Sequence, residues 1–462
     1  MAVAGEERKS FGLKALLKRI LEIGPVFILA VILVIGGSPA RAQKISLIRD
    51  AEIENTIRQF ATPVFSAAKL NPQAVKIYLV RDNTLNAFVA GGQRVFINTG
   101  LLTKTTNAGQ IIGVIAHETG HIAGGHLARF QNALENSSTT MILALLLGGA
   151  AIGAGRGDIG SAIIGAGQGI SIRNFMKYSR TQESAADQAA MKFLDHAGIS
   201  SKGLLEFLEI LGEQDLLSPE RQDPYVLTHP LTRDRIANIA EHISQSPHSD
   251  TPLPAAFEIM HRRLRAKLYA FLNPLDRTLR VYKETDNSLE SRYARAVAQY
   301  RKPDLDKALP LIDGLLAEFP RDPYFWELKG QMMFENGDAK AALKPYENAV
   351  SLLPDNALLR RDLARIQMAL NDPAMLNRAV KNLRAAIAQE RDSPFTWRQL
   401  AIAYGRMGDK GRSSLALAEE ALLKSQKSVA RYHAGLAERL FPNGTREWLQ
   451  AQDILVAARP KK

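Results

Sequence analysis

The sequence predicts a mainly α-helical protein in two folded parts: an α+β domain with a small sheet, then an α-solenoid of paired helices. Apolar residues recur at helical spacing over residues 44–70, which indicates an opening helix. Apolar and polar residues then alternate over residues 75–97, as is typical of strands. The C-terminal part has a period of 34 residues, which is characteristic of helical repeats. A chain of 462 residues is long enough for two cores.

Composition limits the chemistry that the chain can support. The charged fraction of 23% and hydrophobic fraction of 46% are ordinary for a globular protein. There is no cysteine, so any metal must be held by His, Asp or Glu, and a cysteine nucleophile is excluded. The formal net charge of +12 is spread along the chain, and we find no nucleic-acid motif. We therefore expect no nucleic-acid partner.

The N-terminal residues 1–42 follow the order of an export signal. A basic stretch precedes an apolar run over residues 26–35, and Ala40-Arg41-Ala42 is a small-x-small triplet. We predict cleavage after Ala42 and a periplasmic mature protein. The alternative is an uncleaved inner-membrane anchor, because the apolar stretch is nearly long enough to span a bilayer.

A second apolar segment, rich in Gly and Ala, covers residues 139–170. Its uninterrupted apolar part is about 15 residues, which is short for a membrane span. We expect a hydrophobic hairpin that makes peripheral membrane contact or covers the active site. A buried core helix is the alternative.

The residues His117-Glu118-Thr119-Gly120-His121 form an H-E-x-x-H motif in a predicted helix. The spacing places His117 and His121 on one helix face, one turn apart, so both imidazoles can reach one ion. Glu118 is rotated by about 100° from His117, which places its carboxylate beside the ion as a general base. The motif predicts a hydrolase with one Zn²⁺ per chain.

A catalytic zinc site also needs a third protein ligand. Glu183 and Asp187 are four residues apart in an alanine-rich predicted helix, so they share one face. Glu183 is the candidate ligand, and Asp187 is a candidate acceptor for the far nitrogen of a ligating histidine. The spacing leaves open the alternative of two solvated acids on a surface helix.

Together these motifs resemble the M48 family of zinc peptidases. The resemblance rests on H-E-x-x-H followed by E-x-x-x-D on a later helix, and on Asn86-Ala87-Phe88, which is similar to the strand pattern before the zinc helix. It implies a zinc metalloendopeptidase. The implied zinc ligands are His117, His121 and Glu183, the implied general base is Glu118, and Asp187 is implied to accept a hydrogen bond from a ligating histidine.

A further element, His229-Pro230 with Arg235-Ile236, resembles the H-P-x-x-x-x-R-I element of the same family. The resemblance places it near the active site, with a regulatory or oxyanion role for His229 and Arg235. An imidazole at the open zinc position would block water, whereas a donor to the oxyanion would assist the reaction. We hypothesise that His229 is a plug, and a helix-cap histidine is the alternative.

One more histidine, His126, lies nine residues after His117. On a continuous helix this spacing points to the opposite side, and Gly124-Gly125 is expected to end the helix. We therefore interpret His126 as structural.

The predicted hairpin over residues 87–97 offers a track for substrate. An extended peptide could add as a strand along its edge and present a carbonyl to the zinc. The residues of this expected substrate strand are Arg94, Val95, Phe96, Ile97 and Asn98.

The C-terminal period is marked by Pro320 and Pro354, 34 residues apart, and Ala308 matches Ala342 at the same offset. Gly337 marks the turn between helices. The pattern resembles the tetratricopeptide repeat, whose small residues let paired helices approach closely. Such solenoids bind protein segments on a concave surface, so we expect the repeats to recruit protein partners. A generic helical array is the alternative.

We expect five segments along the chain. They are a signal peptide (1–42), an M48-like zinc metalloprotease domain (43–250), a helical linker (251–288), a tetratricopeptide repeat domain (289–445) and a tail (446–462). The expected function is hydrolysis of exported or misassembled envelope proteins in protein quality control, with outer-membrane assembly proteins as repeat partners. The substrate class comes from the resemblance alone. The alternative is a chaperone or assembly adaptor for outer-membrane proteins, with rare or regulated proteolysis.

Overall fold

A computed structural model describes residues 46–126, 169–212, 229 and 231–459, with side chains from residue 180 onward in the second range. The predicted signal peptide and nearly all of the apolar segment 139–170 lie outside these residues. Within the described residues, no helix has both the length and the apolar character that a bilayer span requires.

A four-stranded mixed sheet opens the first part. Its strands are β1 (Leu47–Ile48), β2 (Lys76–Val80), β3 (Ala87–Val89) and β4 (Arg94–Asn98), in the spatial order β1-β2-β4-β3. The predicted hairpin is confirmed, since β3 and β4 are antiparallel and are joined through Gly91 and Gly92, whose φ angles are positive. Strand β2 pairs with β4 in parallel.

This strand order corrects one prediction. The residues Arg94 to Asn98 form β4, which is paired with β2 on one side and β3 on the other. The backbone groups on both sides of β4 are engaged, so a peptide cannot add there, and the prediction of a substrate strand along β4 is wrong. The edge of the sheet next to β4 is β3. The hairpin alone did not reveal that β2 would cover the side of β4 that faces away from β3.

Helices surround the sheet and form most of the first part. They are α1 (Ala51–Ala67), α2 (Thr99–Lys104), α3 (Ala108–Ala123), α4 (Gly169–His196), α5 (Lys202–Gly212) and α6 (Arg233–Gln245). Helix α3 is capped by Asn107, whose side chain accepts from the N–H of Gln110. Its apolar residues Ile111 and Ile115 are buried in the core, so α3 runs through the interior. The chemistry of its polar residues is therefore shielded from bulk water.

Helix α3 approaches its neighbours through glycine. A Cβ added at Gly113 would lie 2.6 Å from the backbone nitrogen of Leu204 in α5. A Cβ added at Gly120 would lie 2.6 Å from the backbone oxygen of Ala186 in α4. Since those atoms are backbone, only glycine permits these distances, and they fix the position of α3 between α4 and α5.

After residue 250 the chain is helical. Helices α7 (Ala255–Leu272) and α8 (Leu275–Val281) occupy the segment expected as a linker. Leu264 and Leu268 of α7 belong to the core of the first part, whereas Ala266 and Ala270 belong to the first core of the repeats. Helix α7 therefore contributes side chains to both hydrophobic cores.

Helix pairs then follow to the end of the described chain. They are α9 (Leu289–Arg301) with α10 (Leu305–Glu318), α11 (Pro323–Glu335) with α12 (Ala339–Leu352), α13 (Ala357–Ala369) with α14 (Pro373–Gln389), α15 (Pro394–Arg406) with α16 (Lys410–Leu423), and α17 (Lys427–Leu440) with α18 (Arg446–Ala457). The predicted mainly α fold with a repeat solenoid is confirmed. Gly337 forms the predicted turn with a positive φ, and Asp338 caps α12. Helix α18 lies in the expected tail and packs against the preceding helix through Ala451 and Ile454.

A buried cluster of charges joins the repeats to the first part. The ammonium of Lys267 lies 2.8 Å from Asp50 and 3.3 Å from Glu52. Arg263 lies 2.7 Å from Glu52, and the hydroxyl of Tyr293 donates to Glu52 at 2.6 Å. Since Glu52 and Lys267 are both 3% exposed, their charges must be compensated within this cluster.

Candidate metal centre

Helix α3 brings together the two histidines of the H-E-x-x-H motif. The Nε2 atoms of His117 and His121 are 3.1 Å apart, as the four-residue spacing predicts. His117 is fully buried and the His121 side chain is 13% exposed. Both rings are therefore oriented toward one point at the surface of α3.

Helix α4 adds a carboxylate at the same point. One oxygen of Glu183 lies 3.3 Å from Nε2 of His117, and the other lies 3.3 Å from Nε2 of His121. The close contact of α4 with Gly120 makes this reach possible. Glu183 is 3% exposed, so it is not a solvated surface acid.

A third imidazole completes the cluster. Nδ1 of His229 lies 3.1 Å from both oxygens of Glu183 and 3.3 Å from Nε2 of His117. Its Nε2 lies 3.6 Å from Glu118. The ligand atoms of His117, His121, Glu183 and His229 all lie within 4.8 Å of one another.

These separations fit a metal ion. Ligand atoms that surround one zinc ion tetrahedrally at about 2.1 Å stand about 3.4 Å apart. Five of the six pairs among these groups approach to 3.1–3.3 Å, and nitrogen and oxygen donors of this type suit that ion. Without a cation, three imidazoles and a carboxylate would be crowded together in a buried space. The residues therefore fit a metal centre with three or four protein ligands.

Two residues hold the ligands in place. Nδ1–H of His117 donates to Asp187 at 2.8 Å, and because a carboxylate only accepts, this bond leaves Nε2 of His117 free for a metal. Arg235 donates to both oxygens of Asp187, at 2.6 and 2.9 Å, and lies 3.2 Å from Glu183. It also donates to the backbone oxygen of His229 at 3.4 Å. Arg235 thus connects the carboxylates to the segment that carries His229.

The electrostatics follow from burial and from these bonds. Burial disfavours a charged imidazole, but the hydrogen bonds to Asp187 and Glu183 outweigh it and raise the pKa of His117 to about 10. Burial also opposes ionisation of Glu183, yet its bonds to three histidines hold its pKa well below the usual range. The pKa of Asp187 is likewise lowered by its bonds to His117 and Arg235, so both carboxylates are ionised and can compensate the charge of a bound cation.

Glu118 has a different environment. It is 1% exposed, and its Oε1 has no hydrogen-bond partner among the residues that the structure describes. Burial raises the pKa of Glu118 to about 7, although His121 and His117 act in the opposite direction. A carboxylate that accepts and releases a proton near neutral pH is suited to general acid–base catalysis.

His126 lies differently from the sequence-based interpretation. Its Nδ1 is 3.0 Å from Nδ1 of His121, so it contacts the cluster instead of lying on the opposite side. Helix α3 ends at Ala123, and Gly125 has a positive φ that turns the chain back. The expected helix end was correct, but the direction extrapolated from the helix does not hold beyond it. Gly124-Gly125 was the signal that could have revealed this residue.

Two parts of the chain match known protein families. Residues 48–243 match the model of Peptidase family M48, and residues 305–447 match that of the tetratricopeptide repeat. The chain is thus a metalloprotease, with an M48 peptidase domain followed by tetratricopeptide repeats. The resemblances seen in its motifs are confirmed.

Several curated proteins are similar to this chain. The beta-barrel assembly-enhancing protease of Yersinia pestis is 26% identical over 76% of this chain and 72% of its own length. The protein of the same name from Escherichia coli (strain K12) is 24% identical over 81% of this chain and 76% of its own. Metalloprotease YcaL of Escherichia coli (strain K12) is 31% identical over 37% of this chain and 63% of its own.

Proposed function

We propose that this protein is a periplasmic zinc endopeptidase that hydrolyses exported or misassembled envelope proteins. The observation that carries the proposal is the cluster of four ligand groups whose donor atoms all lie within 4.8 Å of one another. Beside it stands the buried carboxylate of Glu118, one oxygen of which has no hydrogen-bond partner among the described residues. Two histidines and a glutamate with one further position are a common ligand set of zinc peptidases. In this proposal His117, His121 and Glu183 are the ligands, and Asp187 orients His117.

When bound, the zinc ion would polarise the scissile carbonyl and make an adjacent water acidic enough to lose a proton near neutral pH. Glu118 takes this proton, because its Oε1 is within the buried site and accepts no hydrogen bond from the residues that the structure describes. It then gives the proton to the leaving amine. The pKa of Glu118, about 7, lets the same group serve both steps.

His229 closes the site in the resting protein. Its Nδ1 stands among the other three ligand groups, where the carbonyl or the water would have to enter. The backbone of His229 is held by Arg235, which also binds Asp187. For the reaction to proceed, the imidazole must leave this position, and from outside the cluster it could donate to the oxyanion. Proteolysis is therefore regulated by movement of His229.

The cellular role is proposed from the relatives and the predicted export signal. The relatives from Yersinia pestis and Escherichia coli are named beta-barrel assembly-enhancing protease, which points to the assembly of outer-membrane proteins. We propose that domain 43–250 cleaves and that repeats 289–445 recruit substrates or assembly proteins. An extended, unfolded segment is the substrate form that an edge strand such as β3 can accept.

The proposal is tested by metal analysis and casein cleavage on the purified protein. We expect about one zinc per chain, and Glu118→Gln should lower cleavage by at least 100-fold, as is typical of loss of a general base. The control is Glu209→Gln, which removes an exposed carboxylate from α5 and should leave cleavage unchanged. A protein without stoichiometric metal, or a fully active Glu118→Gln variant, would refute the proposal.

The plug is tested with His229→Ala. If the imidazole blocks the site, this variant should cleave casein faster than the wild type, by about 10-fold if the closed form is the main population. A large loss of activity would assign His229 to the oxyanion instead.

The alternative function, a chaperone or assembly adaptor, is favoured by the presence of His229 within the ligand cluster. A closed site is compatible with a protein that binds far more often than it cuts. An assay for suppressed aggregation of an unfolded outer-membrane protein distinguishes a chaperone from a quality-control protease. If the protein is a chaperone, the Glu118→Gln variant still suppresses aggregation. If it is a quality-control protease, the variant no longer suppresses aggregation, because it no longer cleaves the substrate.

A further inference from the structure

Three aromatic rings form a continuous stack across the outer face of the sheet. Tyr78 of β2 lies with its centroid 5.0 Å from Phe96 of β4, at an interplanar angle of 17°. Phe96 in turn lies 4.9 Å from Phe88 of β3, at 6°. All three side chains are partly exposed, whereas their strand neighbours Ile97 and Ala87 are buried in the core. We call these three residues the aromatic ladder.

The ladder ends at β3, which is an edge strand among the residues that the structure describes. The N–H of Ala90 donates to Arg94, and the N–H of Asn98 donates to Asn86. Since hydrogen-bonded pairs alternate along an antiparallel ladder, Phe88 is bonded to β4, and Ala87 and Val89 direct their N–H and C=O groups away from it. No other strand pairs with β3 among the residues that the structure describes.

We propose that Phe88 selects an aromatic residue in an extended substrate segment that adds to the edge strand β3. This inference rests on the proposed endopeptidase function and names a determinant of its specificity. A peptide that adds to β3 would bond to Ala87 and Val89. Its residue opposite Phe88 would then be in a non-hydrogen-bonded pair, where side chains of antiparallel strands approach most closely.

The spacing of the ladder supports an aromatic partner. Adjacent strands lie about 4.8 Å apart, which is close to the ring separations of 4.9 and 5.0 Å within the ladder. A ring on an added strand would therefore continue the stack at the same interval. A Ser or Asp at this position would leave the face of Phe88 in contact with water. Aromatic stacking contributes about 2- to 10-fold in affinity.

The same register directs the neighbouring substrate residues toward the metal centre. Side chains of a strand alternate between the two faces of a sheet. The inner face of β3 packs against α3, which carries His117 and His121. The substrate residue on Phe88 thus serves as an anchor on the outer face, while the residues on either side of it face the helix with the ligands.

The test is a binding measurement in the Glu118→Gln background, where bound peptide is not cut. Fluorescein-labelled decapeptides that differ only in one central residue, Phe, Leu, Ser or Asp, are titrated by fluorescence anisotropy. With Phe88 intact, the Phe peptide should bind about 10-fold more tightly than the Ser peptide. Phe88→Leu should reduce this ratio to about 2-fold, and Phe88→Tyr should keep it.

The matched control is Tyr432→Leu, which removes an aromatic side chain that is 64% exposed on α17. It should leave the ratio unchanged. Thermal unfolding of Phe88→Leu checks that the sheet remains folded. If the sheet of Phe88→Leu is unfolded, Phe88→Tyr tests the subsite instead. An equal ratio in Phe88→Leu and in the unmodified background, or no binding of any peptide, would overturn the inference.

This failure is distinguishable from failure of the proposed function. Casein cleavage and zinc content of the wild type report on the endopeptidase alone. A protein that holds zinc and cleaves casein, yet binds all four peptides equally, would refute only the role of Phe88. A protein with the expected preference but no cleavage would refute only the endopeptidase.

Discussion

Replacement of Gly120 by alanine tests whether helix packing sets the geometry of the metal centre. A Cβ at Gly120 would lie 2.6 Å from the backbone oxygen of Ala186 and 2.9 Å from its Cα. Both atoms belong to the backbone of α4, so the contact can be relieved only if a helix moves. An increase from 2.6 Å to an ordinary contact of 3.4 Å requires a separation of about 0.8 Å.

These two helices carry opposite sides of the ligand cluster. Helix α3 carries His117 and His121, and α4 carries Glu183. Metal–ligand distances are tolerant to about 0.2 Å, so a shift of about 0.8 Å exceeds that tolerance about fourfold. We expect Gly120→Ala to weaken zinc binding by about 10- to 100-fold. Overpacking should also lower the free energy of unfolding by about 1–3 kcal/mol.

The assay is competition for zinc with a chromogenic chelator, together with denaturation of the metal-free protein. The control is Gly314→Ala in α10, where nothing lies within 4 Å of an added Cβ. This substitution should stabilise the helix by up to about 1 kcal/mol and leave zinc affinity unchanged. Wild-type zinc affinity in Gly120→Ala would refute the view that this contact fixes the ligand geometry.

Two further predictions concern stability. Burial and two nearby arginines lower the pKa of His261 from 6.5 to about 4. As the pH falls, this histidine is therefore protonated in the unfolded state before it is protonated in the folded state. The free energy of unfolding should consequently drop by about 2 kcal/mol between pH 8 and pH 5. Urea denaturation should show this drop in the wild type but not in His261→Leu. Lys267→Met leaves Glu52 and Asp50 poorly compensated and should cost about 3–5 kcal/mol by the same assay. Adding Glu52→Gln to Lys267→Met should recover part of this loss, and no recovery would contradict the pairing.

The local parts of the fold could be predicted from the sequence, because their signals lie within a few residues. Gly337 and Asp338 mark a turn and a helix start in adjacent positions, and the 34-residue period repeats such marks. The histidine pair needs only one helical turn to converge. The position of Glu183 beside that pair was an open alternative, since it depends on how α4 packs against α3.

The parts that could not be predicted depend on distant contacts. The place of β4 between β2 and β3 is set by pairing with a strand outside the hairpin. Glu52 and Lys267 belong to residue types that usually lie at the surface, and only the approach of α7 to α1 buries them together. His126 reaches His121 through a backbone reversal at Gly125, which a helical projection does not include.

Helix α7 has a consequence for where this chain can be divided. The match to the peptidase family ends at residue 243, yet Leu264 and Leu268 fill the protease core and His261 contacts Thr105 there. A shortened chain that stops at residue 250 would therefore expose an apolar cleft and aggregate. A chain that stops after α7 would instead expose Ala266 and Ala270, which the repeats normally cover. The segment that matches the peptidase family is therefore shorter than the segment that can fold alone.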